Sequence, residues 1–600
     1  MTEVKVNDFV ITVATVNGSG SQSSNNVLVR TLFRMGIPVG GKNLFPSNIQ
    51  GLPTWFTIRA NEQGFTARKK YADIVVAMNP QTLLQDLELV HEGGFVFHNQ
   101  DIPIPEARRR ADVTLVPIPF RQIITPVTDS VKLRKLLVNM AYVGVLAELL
   151  KLPQDVLDRV VEHQFEDKVS VVDLNKKAIQ AGRDWAAEHL AFLHLPYRAE
   201  IRPNQNEGKI LIDGNSAAGM GLVFGGCTFV AWYPITPSSS LVESFIDYAE
   251  SSRVDPEGRK NFAVVQAEDE LASMAMVVGA GWAGARAVTA TSGPGLSLMS
   301  EAAGLAYYAE IPAVIWDVQR VGPSTGLPTR TMQGDLISAY YLSHGDTKHV
   351  VLLPGTPNEC FDFGELALDL AERLQTLVIV LSDLDVGMNL HAAHRFDYPT
   401  RGMDRGKVLS AADLDQRGGF QRYKDVDSDG IPYRTLTGTA HPTAAYFTRG
   451  TGHDEAGLYS EDPQTYKANM DRLARKFQTA ARLVPLPVVD FRPGVRVGLV
   501  TYGSSHEATG EARFILQKHG IETNCLRLRA LPLCQQFEEF LDSHNRVYII
   551  EQNRDAQLLN VVRSEMPQYW HKCQSILHYD GLPLDAESVV DPILRMERPS

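Results

Sequence analysis

Four short stretches of the chain carry residue types that could bind an anionic ligand and move a proton. YPITPSSS, residues 233–240, is a hydroxyl-rich loop whose two prolines exclude a helix interior. Asp269 and Glu270 begin a helical pattern, where a carboxyl group could meet a ring nitrogen of a ligand. The turn at 293–295 (Gly-Pro-Gly) resembles a phosphate loop, and Arg320 carries the guanidinium that suits a carboxylate. Together these residue types suit an acid–base site for an anionic ligand.

Each stretch also has a purely structural explanation. Acids in the first turn complement a helix dipole, and the Gly-Pro-Gly turn lacks the lysine and the spacing of a P-loop. An arginine after a strand is most often a surface residue. The shared position of the stretches is stronger evidence for a ligand site than any single stretch, because each follows a predicted strand. The carboxyl ends of parallel strands meet at one edge of an open α/β sheet, where ligands bind. The sequence therefore predicts that these loops converge.

Apolar strand-like segments alternate with helical patterns, and this alternation predicts α/β units built on parallel sheets. The segments before the four stretches are TFVAWYP, NFAVVQA, RAVTATS and AVIWDVQ. Changes in the pattern divide the chain into three α/β segments, a polar linker and a long, weakly periodic arm. The segments are 1–195, 210–395 and 491–600, the linker is 196–209 and the arm is 396–490.

A further strand-to-helix turn near the amino terminus contains Gly18, Ser19 and Gly20. A helix that starts there could hold an anion such as a phosphate of coenzyme A. Ser23 occupies the third glycine position of a dinucleotide fingerprint, and the next strand does not end in an acid, so NAD is disfavoured. A tight turn with no ligand is the alternative.

Composition narrows the class of protein. The 600-residue chain has a net charge of −12, which argues against nucleic acid as a main partner. Its five cysteines form no CxxC pair, so common zinc and iron–sulfur spacings are absent and a reducing compartment is expected. The first residues lack the pattern of a signal peptide, and no stretch resembles a membrane helix. We therefore expect a cytoplasmic protein with no metal site of its own.

The chain resembles the α subunit of the 2-oxoacid:ferredoxin oxidoreductases, most closely the 2-oxoglutarate type. The matching stretches are YPITPSSS, QAEDELASMAMVVGAGWAGA, ATSGPGLSLMSEAAGLAYYAE and QRVGPSTGLPTRTMQGDL. The resemblance covers the whole chain and is most specific over 230–360. It implies a γ-like domain at 1–195, a thiamine-diphosphate pyrimidine-binding domain at 210–395 and a transketolase C-terminal-like domain at 491–600.

The resemblance also implies cofactors and partners. Thiamine diphosphate would be shared with a β subunit, which would hold Mg²⁺ and a [4Fe–4S] cluster, since this chain has no diphosphate–Mg²⁺ motif and no cluster-binding cysteines. An (αβ)₂ heterotetramer, inactive as the α chain alone, is expected. It would oxidise a 2-oxoacid, pass electrons to ferredoxin and transfer the acyl group to coenzyme A.

Residue roles follow from the same resemblance. Glu270 aligns with the family's catalytic glutamate, which contacts N1′ of thiamine, and Glu268 and Asp269 are the alternatives. The other expected contacts are, for the cofactor, Pro234, Ile235, Gly293, Pro294 and Gly295, and, for the substrate, Thr236, Arg320, Ser324 and Thr325.

The loop SHGDTKH supplies His344, Thr347 and Lys348, which could hold the distal carboxylate of 2-oxoglutarate. A solvated surface turn is the alternative for this loop. For the whole chain, the alternatives are the same chemistry on pyruvate, branched-chain or aryl 2-oxoacids, or a non-catalytic scaffold whose glycine-rich helices bury an interface.

Overall fold

The computed structural model describes residues 4–46, 51–166 and 168–597. Within these ranges no helix has both the length and the apolar character that crossing a membrane requires. Three α/β units follow one another along the chain, and an extended arm lies between the second and the third.

The first unit is a six-stranded sheet with a hydrophobic cluster and helical segments on each face. Its elements are β1 (Lys5–Val6), β2 (Phe9–Val16), α1 (Ser21–Arg34), β3 (Val39–Leu44), β4 (Pro53–Ala60), β5 (Ala72–Ala77), α2 (Leu83–Glu88), β6 (Val90–Asn99), β7 (Thr114–Ile118), α3 (Phe120–Ile124), α4 (Val131–Leu149), α5 (Gln154–Gln164), α6 (Val169–His189) and β8 (Tyr197–Arg198). The strand order is β3-β4-β2-β5-β6-β7, and β4 runs antiparallel to both of its neighbours.

The second unit contains the central sheet of the molecule. Its elements are β9 (Lys209–Ile212), α7 (Gly214–Phe224), β10 (Phe229–Trp232), α8 (Ser239–Ser252), β11 (Ala263–Gln266), α9 (Glu270–Ala283), β12 (Ala287–Thr291), α10 (Gly293–Leu298), α11 (Ser300–Tyr308), β13 (Ala313–Gln319), α12 (Leu336–Tyr340), β14 (Val350–Leu352), α13 (Pro357–Leu374), β15 (Leu377–Asp383), α14 (Leu384–Met388) and β16 (His391–His394). Hydrophobic clusters on both faces of the sheet bury it between two helical layers, which is the usual environment of a parallel sheet.

The arm has little regular structure beyond α15 (Ala411–Arg417) and α16 (Pro463–Ala480). It packs against the second unit of its own chain. Arg472 and Lys476 of α16 form buried ion pairs with Glu310 of that unit, at 2.6 and 2.7 Å. Because the arm is too long for an ordinary loop, we expect it to be a functional excursion or an interface with another chain, and this role remains a prediction.

The third unit is a five-stranded sheet in the order β17-β19-β18-β21-β22. Its elements are β17 (Val488–Asp490), β18 (Val497–Tyr502), α17 (Ser505–Lys518), β19 (Thr523–Leu528), β20 (Ala530–Leu531), α18 (Gln535–Asp542), β21 (Arg546–Glu551), α19 (Gln557–Glu565), β22 (Cys573–Leu577) and α20 (Ala586–Glu597). Strand β20 joins the central sheet by pairing antiparallel with β14, so the second and third units share a sheet edge.

Buried ion pairs also attach the first unit to the other two. Arg59 of β4 donates two hydrogen bonds of 2.7 Å to the Glu511 carboxylate of α17, and Lys42 of β3 lies 2.6 Å from Asp385 of α14. The predicted α/β class with parallel sheets is confirmed. Each of the three large sheets in addition has antiparallel pairing at one edge. Strand β4 is not among the strands predicted from the sequence, although its residues PTWFTIRA alternate as a strand should.

Candidate active site

The central sheet places the four predicted loops at one edge. Strands β10, β12 and β13 are adjacent and parallel, and their carboxyl ends lead into the YPITP loop, the Gly293 turn and Arg320. Helix α9 begins at Glu270 just after β11, which pairs with β10 on its other side. The topology therefore assembles loops from distant parts of the sequence.

Glu270 differs from the two neighbouring acids in its surroundings. Glu270 is only 6% exposed, whereas Glu268 is exposed and Asp269 is half-buried. The Asp269 carboxylate accepts a hydrogen bond of 2.8 Å from the backbone N–H of Ala272 and so caps α9. Among the described residues, no donor contacts the Glu270 carboxylate. A buried carboxyl group without a partner is costly unless a ligand supplies one.

Gly295 makes the space in front of Glu270. A Cβ atom at Gly295 would lie 2.0 Å from Thr291 Oγ1 and 2.7 Å from Glu270 Cγ, so this turn can pack here only without a side chain. Glu270 is thus a buried acid packed against the backbone of Gly295, with no side chain between them. These two features fit a flat heterocycle with a ring nitrogen that can hydrogen-bond to Glu270, as thiamine diphosphate requires.

Arg320 is the cation of the site. It is 7% exposed, and its Nη1 donates a hydrogen bond of 2.7 Å to the backbone carbonyl of Thr236. Arg320 therefore contacts the backbone carbonyl of Thr236. The Thr236 hydroxyl makes no hydrogen bond within the described part of the chain. Burial lowers the pKa of Arg320, while the carboxyl groups of Asp317, Asp335 and Glu270 oppose that effect. The two predicted substrate contacts, Thr236 and Arg320, are therefore neighbours.

A cleft of about 730 Å³ opens beside Arg320, a volume that can hold a small substrate. Predicted residues line it together with residues of the third unit. The lining includes Gly293, Pro294, Arg320, Ser324, Thr325, Asp335, Arg554, Asp555 and Tyr579. Pro234 and Ile235 lie in the adjoining YPITP loop, exposed and half-buried respectively.

Asp317 and Asp335 belong to the same site, although they are not among the residues predicted from the sequence. Asp317 is fully buried in β13, three residues before Arg320, and Asp335 faces the Gly293 turn. Burial raises the pKa of both carboxyl groups, that of Asp335 to about 6. A signal was present, because an acid inside the apolar strand AVIWDVQ is unusual.

The structure does not bring His344, Thr347 and Lys348 to the cleft. Their loop precedes β14, so it lies at the amino ends of the parallel strands, opposite the edge that carries Arg320. Lys348 pairs with Glu565 of α19 at 2.7 Å, and the Thr347 hydroxyl donates to the carbonyl of Leu342. This geometry contradicts the predicted role of the loop at the distal carboxylate.

Gly18, Ser19 and Gly20 form the predicted turn before α1. Gly18 and Gly20 have φ values of 83° and 84°, which favour glycine. Asn139 of α4 donates to the Ser19 carbonyl at 2.7 Å. The turn is exposed and lies outside the residues that line the cleft, so its contact with phosphate or coenzyme A stays a prediction.

A second cleft, of about 350 Å³, separates the first unit from the third. It is rich in cations and has aromatic side chains in its wall. Its lining includes Lys42, Trp55, Arg59, Arg68, Lys69, Lys70, Tyr71, Arg330 and Asp580. The segment at Gly581, which contacts Arg330 and Val321, lies between this cleft and the first one.

Comparison with known proteins identifies the family. The protein-family model described as "Pyruvate flavodoxin/ferredoxin oxidoreductase, thiamine diP-bdg" matches residues 220–441. A second family model, "Pyruvate ferredoxin/flavodoxin oxidoreductase", matches residues 10–185. The α subunit of 2-oxoacid:ferredoxin oxidoreductase 1 from Aeropyrum pernix is 30% identical over 98% of both chains. The chain belongs to the 2-oxoacid:ferredoxin oxidoreductase α-subunit family.

Members of this family are enzymes, so the cleft is the candidate active site of an oxidoreductase chain. The 2-oxoglutarate synthase subunit KorA from Archaeoglobus fulgidus is 36% identical over 54% of this chain and 81% of that protein. The solved structure of 2-oxoglutarate:ferredoxin oxidoreductase from Magnetococcus marinus, with 2-oxoglutarate, coenzyme A and succinyl-CoA bound, is similar over 98% of this chain and 99% of that one. Its TM-score is 0.88 and its identity 28%.

Proposed function

We propose that this chain is the α subunit of an enzyme that converts 2-oxoglutarate, coenzyme A and oxidised ferredoxin into succinyl-CoA, CO₂ and reduced ferredoxin, reversibly. One observation carries the proposal: an unpartnered buried acid, Glu270, and a buried cation, Arg320, which feels its charge, lie at the same edge of the sheet, where Arg320 lines a cleft of substrate size. The full-length likeness to a protein of that activity supports the choice of substrate.

The residues of this chain have distinct tasks in the reaction. Bound thiamine diphosphate would supply the nucleophilic carbon that attacks the keto group and would accept the electrons left when CO₂ departs. Glu270 would hold a proton between its buried carboxyl group and a ring nitrogen, a form of acid–base catalysis. Gly293, Pro294 and Gly295 would let the ring approach Glu270. Arg320 would orient the carboxylate next to the keto group, since charge-assisted bonds to guanidinium are strong.

The distal carboxylate of 2-oxoglutarate needs a second donor, because burying it unpaired would be costly. Arg554 lines the same cleft as Arg320 and forms an exposed pair with Asp555 at 2.8 Å. We propose Arg554 as this donor, with Ser324 and Thr325 as further hydroxyl donors in the cleft. Arg554→Ala should then raise the KM for 2-oxoglutarate more than tenfold and leave residual activity on pyruvate unchanged.

Pyruvate is the second candidate substrate. The observation that favours it is the position of the Lys348 loop, which leaves the cleft without the cation predicted for a distal carboxylate. An equal loss of activity on both substrates in Arg554→Ala would favour a small 2-oxoacid.

Coenzyme A has two candidate anion-binding regions in the first unit. One is the exposed turn of Gly18, Ser19 and Gly20 at the amino end of α1. The other is the second cleft, where Lys70 lies 5.4 Å from the ring of Tyr71 and where Arg330 approaches the first cleft. Lys70→Ala and Ser19→Ala distinguish them, because the variant that raises the KM for coenzyme A marks the region in use.

A β subunit is the proposed partner, with Mg²⁺ and a [4Fe–4S] cluster bound to it in an (αβ)₂ assembly. The support is an apolar stripe on α9, where Leu271, Met276 and Trp282 are 49%, 40% and 41% exposed. A Cβ at Gly279, on the same stripe, would meet open space. This helix starts at Glu270, so a chain that covered the stripe would also close the cofactor site.

Reconstitution tests the proposal. The α chain should be combined with the cysteine-rich chain that co-purifies with it, and dye reduction measured with 2-oxoglutarate, pyruvate and branched-chain 2-oxoacids in the presence of thiamine diphosphate and coenzyme A. The proposal expects activity that requires both chains and is highest with 2-oxoglutarate. A colourless homo-oligomer without activity on any 2-oxoacid would instead indicate a scaffold protein.

A further inference from the structure

The candidate site contains more buried carboxyl groups than cations. The charges of three of them, Asp317, Asp335 and Glu270, act on Arg320, although among the described residues none forms an ion pair with it and its hydrogen bond goes to the Thr236 carbonyl. Its own Nε is buried and, within the described chain, has no hydrogen-bond acceptor. With all three acids ionised the cluster would carry a net charge of about −2 in a site of low dielectric, which is unfavourable. Protons must therefore reside on some of these acids.

Asp317 and Asp335 share one such proton. Both oxygens of Asp317 and Oδ2 of Asp335 are buried, and no donor among the described residues reaches them. Two ionised carboxylates cannot satisfy each other, whereas a protonated one donates to the other. Burial and Asp335 raise the pKa of Asp317 well above its usual value, and burial raises that of Asp335 to about 6. Asp317 is fully buried, whereas Asp335 is half-buried and lines the cleft, so Asp317 is the donor of the pair and the Asp335 carboxylate is the counter-charge to Arg320.

The surroundings of the pair are otherwise neutral or balanced. The phenol of Tyr502 on β18 feels the charge of Asp335, and burial raises its pKa well above its usual value, so it stays neutral. The backbone N–H of Asp335 donates to the Gln319 side chain at 3.1 Å. At the rim of the cleft, Arg554 and Asp555 compensate each other. Glu270 is the remaining acid that acts on Arg320.

A substrate carboxylate at Arg320 would compete with this counter-charge. We propose that Asp335, which lines the same cleft as Arg320, takes up one proton when the carboxylate of a 2-oxoacid binds Arg320, so that Asp335 balances the guanidinium charge in the free enzyme and the substrate balances it in the complex. The inference rests on the proposed function. Asp335 is a positioning residue in this scheme, because it acts on the substrate through Arg320.

The proton balance is simple. The proton comes from the solvent and protonates the Asp335 carboxylate, and no covalent bond of the substrate changes in this step. When the substrate carboxylate leaves as CO₂, the counter-charge of Arg320 is lost and Asp335 returns the proton to solvent. One proton is therefore bound and released in each turnover, coupled to the occupancy of Arg320.

Proton uptake can be measured directly on the assembled complex. Binding of 2-oxoglutarate at pH 7.5 is followed by titration calorimetry in two buffers of different ionisation enthalpy, with the complex depleted of thiamine diphosphate so that the substrate carboxylate stays bound. The wild type should take up close to one proton per site, and Asp335→Asn none. Steady-state kinetics give a second readout: the wild-type KM should rise up to tenfold per pH unit above about 6, while that of Asp335→Asn should be lower and independent of pH, with kcat changed less than KM.

Two further variants control the experiment. Asp317→Asn keeps an N–H donor towards Asp335, so proton uptake and the pH dependence of KM should persist. Asp555→Asn removes a carboxylate from the rim of the same cleft, and it should leave the proton count unchanged. Loss of proton uptake in Asp555→Asn would show a general charge effect and overturn the inference.

The outcomes separate this inference from the proposed function. A wild-type complex that binds 2-oxoglutarate without proton uptake overturns the inference alone, and this result needs no variant to fold. Equal uptake by wild type and Asp335→Asn also overturns it. A wild-type complex that binds no 2-oxoacid overturns the proposed function together with the inference.

Discussion

Two buried charge clusters in this chain have opposite characters. Around Glu310, Arg472 and Lys476 supply ion pairs of 2.6 and 2.7 Å, so the acid has more cationic partners than it needs. Around Arg320, acids outnumber cations and several buried polar atoms have no partner within the described residues. The first cluster fastens the arm to the second unit. The second has unmet bonding capacity at the mouth of a cleft.

The pKa values express this difference. Burial alone would raise the pKa of Glu310, but Arg472 and Lys476 lower it to about 2. Burial also acts on Asp335, where the hydrogen bond with Asp317 and the charge of Arg320 oppose it too weakly to offset it, and its pKa rises to about 6. Buried acids whose partners are missing are candidates for function, whereas buried acids with complete partners hold structure together.

The largest effect is expected at Glu270, the acid with no partner. Glu270→Gln should keep the fold and lower kcat about 10²- to 10⁴-fold, because a positioned acid–base group is removed. Glu268→Gln is the matched control, since that residue is exposed, and it should stay within twofold of wild type. Dye reduction by the assembled complex measures both. A large loss of kcat in Glu268→Gln with little change in Glu270→Gln would show that Glu268 is the acid–base residue.

The balanced cluster should behave in the opposite way. Glu310→Gln leaves Arg472 and Lys476 buried without their counter-charge, so it should destabilise the second unit by about 3–5 kcal/mol. Thermal unfolding of the complex measures this loss. Asp335→Asn should lower the free energy of unfolding far less than Glu310→Gln, because the Asp335 carboxylate has no ion-pair partner among the described residues to leave behind. Similar losses in the two variants would contradict the distinction between the clusters.

Acid should weaken the balanced cluster specifically. The folded-state pKa of Glu310 is about 2, below its ordinary value of 4.5, so ionised Glu310 favours the folded state. Its contribution is complete above about pH 4.5 and declines as the pH falls towards 2. Unfolding monitored over this range should show a pH dependence that is reduced in Glu310→Gln. An unchanged dependence in the variant would mean that other acids are responsible.

The smallest effect is expected at Lys348, on the edge opposite the cleft. Its ion pair with Glu565 is 44% exposed at the lysine, so Lys348→Ala should cost under about 1 kcal/mol. The KM for 2-oxoglutarate should not change, because the loop does not reach Arg320. Arg554→Ala is the informative comparison. A large rise in KM in Lys348→Ala alone would restore the loop as the distal carboxylate site.

The sequence by itself determined the α/β class, the family and the loops that carry the chemistry. Strand patterns and the YPITP, Gly-Pro-Gly and VQR stretches are local, and the rule that parallel strands expose their carboxyl ends together is general. Asp269, Glu270 and Arg320 drew attention in this way because each follows a predicted strand, whereas the choice of Glu270 came from the family resemblance. Nothing local distinguished Glu268 from Glu270, since their burial depends on how α9 packs against Gly295.

Only the tertiary structure decided which groups share an environment. Lys348 follows Arg320 by a short distance in sequence, yet the chain crosses the sheet between them and leaves them at opposite edges. Asp335 joins Asp317 and Arg320 because the segment after Arg320 folds back over the Gly293 turn. Burial, partner count and hence proton affinity are properties of this packing, and they cannot be derived from residue types or spacing along the chain.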